Sequence, residues 1–96
     1  MIQSFTGTAT EDLFHGRDTR AARTFAKGLW PVIRRKLDRV NAAHELRDLQ
    51  RSPGNQLHPL KGDQKGRYAI RVNEQYRITF RFENGNATEV RCEDYR

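Results

Sequence analysis

A chain of 96 residues is read as a single domain, 1–96, with a modest core: at this size about 60–65% of the surface exposed by the unfolded chain is buried on folding. Eighteen Lys and Arg against 12 Asp and Glu give a net charge of +6, which favours polyanionic partners such as nucleic acid. One cysteine, Cys92, excludes an intramolecular disulfide and suits a reducing compartment. No basic stretch followed by an apolar run opens the chain and no apolar run approaches spanning length, so the sequence reads as cytoplasmic, with no membrane partner.

Residues 2–6 read as a short first strand, with Ile2 and Ser4 on one side and Gln3 and Phe5 on the other. Thr10 is placed to N-cap a short helix, Glu11 and Asp12 to favour its positive end, and Gly16 to stop it. In residues 17–28 the basic residues Arg17, Arg20, Arg23 and Lys27 fit either one helix face or a mobile basic loop. Pro31 suits a first helical turn, and Ile33, Leu37 and Val40 follow at helical spacing, predicting a helix over 31–42. A further turn of helix is expected around Glu45 to Leu49, then a turn at Ser52-Pro53-Gly54-Asn55.

Beyond residue 57 the period changes to two. Tyr68, Ile70 and Val72 alternate with Ala69, Arg71 and Asn73; Tyr76, Ile78, Phe80 and Phe82 alternate with Arg77, Thr79 and Arg81. Asn84-Gly85 marks a hairpin, and Thr88, Val90 and Cys92 alternate with Glu89, Arg91 and Glu93 in a last strand. The order β-α-α-β-β-β predicts an α+β domain, two to three helices packed on one face of an antiparallel sheet. The other face would carry Arg71, Asn73, Arg77, Thr79 and Arg81.

Several chemistries find no support. His15, His44, His58 and Cys92 are scattered, without metal-site spacing, so no metal and no cofactor is expected. No nucleophile elbow or Walker spacing occurs. RNA cleavage through the 2′-hydroxyl remains open, because it needs only a base, an acid and cations around the phosphate. His58, Lys61, Arg67, Arg77, Tyr95 and Arg96 are of the right types. Taken singly, each also has a structural reading: His58 beside Pro59 shapes a loop, and strand arginines are solvated charges.

The ordered words Leu57-His58-Pro59-Leu60-Lys61-Gly62-Asp63, Lys65-Gly66-Arg67-Tyr68, Ile70, Val72-Asn73 and Tyr76-Arg77-Ile78-Thr79-Phe80, with Asn84-Gly85 and the terminal Glu93-Asp94-Tyr95, resemble the HigB branch of the RelE/ParE toxin superfamily. The resemblance spans nearly the whole chain and is weakest over 17–30. It implies a RelE-like domain and a toxin of a type II toxin-antitoxin module. It further implies a ribosome-dependent mRNA endonuclease that cuts in the 30S A site without a metal. The partners implied are a HigA-like helix-turn-helix antitoxin, the ribosome and mRNA, with operator DNA reached only through the antitoxin complex.

Carried onto this chain, the resemblance marks His58, Lys61, Arg77, Asp94, Tyr95 and Arg96 as catalytic positions. Lys65, Arg67, Arg71 and Asn73 are marked as RNA-binding. Lys61 and Arg77 would stabilise the phosphate, Tyr95 would orient or stack on a base, Asp94 would position the terminus, and His58 or Asp94 would be the general base. Arg96 departs from the Asp-Tyr-His ending common in the family, and a guanidinium does not shuttle a proton near neutral pH. The alternatives are a ParE-like gyrase inhibitor of the same fold, or a remnant acting mainly through antitoxin binding.

Overall fold

The computed structural model describes residues 1–94. Its first helix, α1, spans Thr8–Phe14 and starts after Gly7, whose φ of 85° few other residues adopt. Thr10 therefore does not cap it. Thr10 sits inside the helix, buried, and its Oγ1 accepts a 3.0 Å bond from the Cys92 N–H of the last strand. A hydroxyl beside the core satisfies a buried strand amide there instead of a solvated helix end. Gly16 does stop the helix: at φ 73° it lets its own N–H reach Leu13 O at 3.2 Å and the Arg17 N–H reach Asp12 O at 2.8 Å, a Schellman motif.

Residues 17–28 form neither a basic helix nor an open loop. They make two 3-10 turns, Ala22–Thr24 and Lys27–Leu29, with Ala22 and Phe25 buried. Thr19 Oγ1 donates to Asp12 at 2.7 Å and accepts from the Ala22 N–H at 3.1 Å, tying the segment to α1. Arg23 and Lys27 both converge on Asp18, at 2.8 and 3.2 Å. The bonds from Arg23 and then Lys27 hold the Asp18 carboxyl below its ordinary range.

Helix α2, Trp30–Ala42, begins one residue before the expected start, with Pro31 in its first turn. Ile33, Leu37 and Val40 are its fully buried stripe, each contributing about 1.5–3 kcal/mol by leaving water. Helix α3, Leu46–Gln50, carries a reciprocal capping box between Glu45 and Asp48. Backbone N–H groups of His44 and Glu45 lower the Asp48 pKa. The turn that follows buries Asn55, which donates to Leu49 O at 3.0 Å and accepts from Lys36 Nζ at 2.5 Å. Burial, then repulsion from Arg39 and Arg35, lowers the pKa of that lysine.

The sheet has four antiparallel strands in sequential order: β1 His58–Pro59, β2 Arg67–Arg71, β3 Tyr76–Glu83 and β4 Asn86–Asp94. One face packs Ile70, Ile78, Phe80, Ala87, Val90 and Cys92 against Leu13, Phe25, Ile33, Leu37 and Val40. Burial pushes the Cys92 thiol up to about 12. The alternation in β2 and β3 holds as the sequence implies. In β4 it breaks, because Thr79 pairs with Arg91 while Arg81 pairs with Thr88, leaving Glu89 as an extra residue at φ 52°. The bulge turns Ala87 inward and Thr88 outward, where simple alternation would have put Thr88 beside Val90.

Two further corrections concern the ends of the sheet. The strand expected at 2–6 is reduced to two isolated parallel bridges, Ile2 with Ala87 and Phe5 with Val90. A three-residue spacing puts both Ile2 and Phe5 against the core, which a two-residue period does not. The first strand proper is instead β1, a two-residue strand absent from the sequence expectation. Among the described residues no helix is long and apolar enough to cross a membrane.

Candidate nucleic-acid interface

Paired residues in a sheet share a face, so the register assembles the open side row by row. The first row is Arg67, Arg81 and Thr88; the second is His58, Ala69, Thr79 and Arg91; the third is Arg71, Arg77 and Glu93. Ala69 and Thr79 are fully buried on this side. The open face therefore has a small-residue floor with guanidinium groups standing over it, rather than an even polar surface.

Arg67 lies low across the floor, its side chain 12% exposed. Its Nη2 donates to Thr79 Oγ1 at 3.0 Å and to the Glu89 carbonyl at 2.9 Å. The Glu89 N–H donates to Ser4 Oγ at 2.9 Å, so both backbone groups of the bulge are satisfied by side chains. The Glu89 carboxylate takes Arg81 Nε at 2.5 Å, with Arg67 Nη1 at 3.8 Å. Glu89 was not among the expected site residues; a lone Glu in an alternating strand gives no sign of a bulge.

At the opposite end Arg71 and Arg77 stand directly across the β2–β3 pair. Like charges so placed repel. Among the described residues, Glu93 pairs with Arg77 at 3.3 Å, both groups about one-fifth exposed. An anion bridging the two arginines would relieve the repulsion, and Arg forks match phosphate oxygens well.

The loop from Leu60 to Gly66 joins β1 to β2. The Leu60 N–H bonds to Arg67 O at 2.9 Å, closing its base. Lys61 precedes a 3-10 turn, Gly62–Gln64, and its carbonyl accepts from the Gln64 N–H at 3.2 Å, leaving the ammonium exposed. Lys65 is exposed as well. His58 is exposed, its Nδ1 2.9 Å from Gln56 O, and its pairing with Ala69 gives it the arginine face.

Asn73 Oδ1 accepts from the Gln75 and Tyr76 N–H groups at 2.9 and 2.7 Å, shaping the β2–β3 turn. Asp94 pairs with Tyr76, which by alternation sets it on the helix side, one residue past Glu93; its Oδ2 accepts from Gln75 Nε2 at 3.0 Å. Strand pairing thus gathers His58, Arg67, Arg71 and Arg77 on one face and sets Asp94 on the other, next in the chain to Glu93. Tyr95 and Arg96 lie outside the described residues. Among the described residues no group of three His, Cys, Asp or Glu could hold a metal ion.

Over residues 3–95 the chain matches the family described as RelE-like toxin of type II toxin-antitoxin system HigB. Endoribonuclease HigB of Proteus vulgaris is 43% identical over 63 residues, covering 66% of this chain and 67% of that protein. Toxin HigB-1 of Vibrio cholerae is 37% identical over 70 residues, 73% of this chain and 74% of that protein. An uncharacterized protein of Haemophilus influenzae is 37% identical over 62 residues, and the aligned part is 61% of its length. Among solved structures, the YoeB-YefM complex from Staphylococcus aureus contains a chain with a TM-score of 0.64 at 17% identity, covering 100% of this chain and 97% of that one. YafQ from E. coli gives 0.57 at 15% identity, covering 98% and 91%. At those identities the likeness is one of fold.

Proposed function

The chain belongs to the HigB-like family of RelE-like type II toxins, and from that premise we propose that it is a ribosome-dependent mRNA endonuclease, held inactive by a HigA-like helix-turn-helix antitoxin. The observation that carries the reading is the in-register pair Arg71 and Arg77 on an open sheet face, with the exposed His58 on that same face and the Lys61 loop leading into β2. The 43% identity to a relative named as an endoribonuclease supports it. So does the net charge of +6, which favours approach to RNA.

The proposed chemistry is an intramolecular displacement. The 2′-hydroxyl oxygen bonds to the adjacent phosphorus while the P–O5′ bond breaks, leaving a 2′,3′-cyclic phosphate and a 5′-hydroxyl. A base takes the 2′-hydroxyl proton and an acid returns one to O5′. Lys61 and Arg77 stabilise the crowded phosphate, where fixed cations act most strongly. Tyr95 orients or stacks on a base, and Asp94 positions the terminus. His58 is favoured over Asp94 as the base, since it shares the face of Arg77. Arg96 adds fixed charge and leaves the proton for O5′ to another donor.

Induced expression, followed by primer extension on cellular mRNA, tests the reading. New 5′ ends inside translated codons are expected, lost when translation is blocked before induction and lost in Lys61→Ala. Growth arrest without such ends would overturn it; arrest with broken DNA and an SOS response would point to the gyrase alternative.

A further inference from the structure

The open face does not end at the arginines proposed to hold the scissile phosphate. Where β3 turns into β4, a cleft of about 490 Å³ is lined by Gln3, Arg81, Glu83, Asn84, Asn86 and Thr88, with Phe82 and Gly66 completing its wall. Arg81 pairs with Thr88 and Glu83 with Asn86, so the cleft crosses the hairpin end of that face. Gln3 closes the far side, because its N–H bonds to Ala87 O at 2.8 Å. Arg81 is four residues from Arg77 along β3, about 14 Å in an extended strand.

Three features say what the cleft suits. Its polar lining is mostly amide and hydroxyl, which donate and accept neutrally. Its charges are balanced: Glu83 opposes Arg81, and Arg81 Nε is already held by Glu89 at 2.5 Å. A phosphate would meet a neutralised cation and a carboxylate there, so an anion is disfavoured. The third feature is the guanidinium plane of Arg81, whose side chain is about half exposed beside the cleft. Gly66, at φ 93°, lies so near Arg81 that a Cβ at that position would sit 3.0 Å from Nη1. Arg81 is thus flanked by Glu89 on one side and bare backbone on the other. An accessible guanidinium plane in a cleft with Gln3, Asn84 and Asn86 suits stacking on and edge reading of an unpaired nucleobase.

We propose that this cleft is a nucleobase subsite, taking one unstacked base of RNA that runs along the open face away from Arg77. The proposal rests on the endonuclease reading for the path of the strand, but not for the binding itself. The base belongs either to the mRNA flanking the cut or to the ribosomal RNA around it. Both present the same chemistry.

Two experiments test it. In the first, 15N-labelled protein is titrated with 2′-O-methyl RNA tetranucleotides, which cannot be cleaved, in four versions that differ in base. The side-chain amide signals of Gln3, Asn84 and Asn86 should shift, with one base favoured. Asn86→Ala should weaken that preference about fivefold, the loss of one hydrogen bond. Silent amide signals, or shifts of equal size for all four bases, overturn the subsite whatever the cleavage assays give. In the second, 4-thiouridine is placed either in the mRNA or in the ribosomal RNA of translating ribosomes, and crosslinks to the 81–88 peptide are mapped. Crosslinks from one RNA assign the source of the base; crosslinks from neither overturn the proposal. Loss of cleavage in Lys61→Ala with the amide shifts intact would separate this site from the proposed catalytic one.

Discussion

At the hairpin end of the open face, Arg67 and Arg81 share the Glu89 carboxylate, and Arg67 also bonds Thr79 and the bulge carbonyl. At the other end Arg71 and Arg77 oppose each other, with Glu93 paired to Arg77. Two arginine pairs on one surface thus sit in different settings. Where the Arg67 guanidinium bonds the buried Thr79 hydroxyl and the Glu89 carbonyl it holds the bulge together. Where Arg71 and Arg77 face each other across β2 and β3, they set two cations side by side on the open face. Residue type alone does not separate the two uses; the hydrogen-bond partners do.

The comparison breaks most visibly in activity. Arg77→Ala should reduce mRNA cleavage by about 10²–10³-fold, the scale of losing one donor that stabilises transition-state charge. Cleavage is to be compared per folded molecule, because the variant also takes this partner from the Glu93 carboxylate, itself only about one-fifth exposed. A large shift of the urea midpoint with cleavage retained would reverse the assignment.

Arg67→Ala should behave in the opposite sense. It removes the charged donor to the Thr79 hydroxyl and to the Glu89 carbonyl, and should cost about 1–3 kcal/mol in urea unfolding. Cleavage per folded molecule should change far less than in Arg77→Ala. A variant that folds as well as the parent but does not cleave would place Arg67 with the RNA-binding group instead.

The helix-covered face gives a third, smaller test. Cys92 has its pKa raised from an ordinary 9.0 to about 12 by burial. Above pH 9 the unfolded chain loses the thiol proton and the folded chain keeps it. The unfolded state then binds fewer protons, so stability falls as pH rises from about 9 toward 12, by up to about 1.4 kcal/mol per unit. Cys92→Ser should remove that slope, and iodoacetamide should label Cys92 only in denaturant.

The smallest effect is expected at Asp18. Arg23 and Lys27 both reach it, yet all three groups are largely exposed. Exposed pairs are screened and contribute little, so Asp18→Asn should leave the urea midpoint unchanged. A clear drop would mean that the 17–28 segment leans on charge rather than on Ala22 and Phe25.

Much of the fold was legible where a period repeats long enough to count. Ile33, Leu37 and Val40 announced α2, and the alternation through Ile70, Ile78 and Phe80 announced the core face of β2 and β3. Legibility failed where a single residue changed the count. Glu89 shifts β4 by one, and the Ile2 and Phe5 bridges follow a spacing of three. It failed also in short irregular stretches: β1 has two residues, and 17–28 is held by Thr19, Ala22 and Phe25, too few apolar positions to show a period. The buried Asn55 with Lys36 gave no local signal, because its partners come from α2 and Leu49.

The candidate site was legible as residue types in a familiar order of words. Its arrangement was not. That Arg71 faces Arg77, that Glu93 completes their row and that Arg67 lies under the surface all depend on cross-strand register, which no stretch of one strand encodes.

The N-terminal bridges carry a consequence for how the molecule behaves among copies of itself. Met1 O and Ser4 O accept from the Ala87 and Val90 N–H groups, and Gln3 N and Thr6 N donate to Ala87 O and Val90 O. These bonds occupy the outer margin of β4, which would otherwise offer a nine-residue row of ladder groups to any neighbouring chain. On the other side β2 is shielded by β1, only two residues long and ending in Pro59, which cannot donate. An antiparallel sheet whose rims are this short or this well covered resists strand-by-strand growth into aggregates.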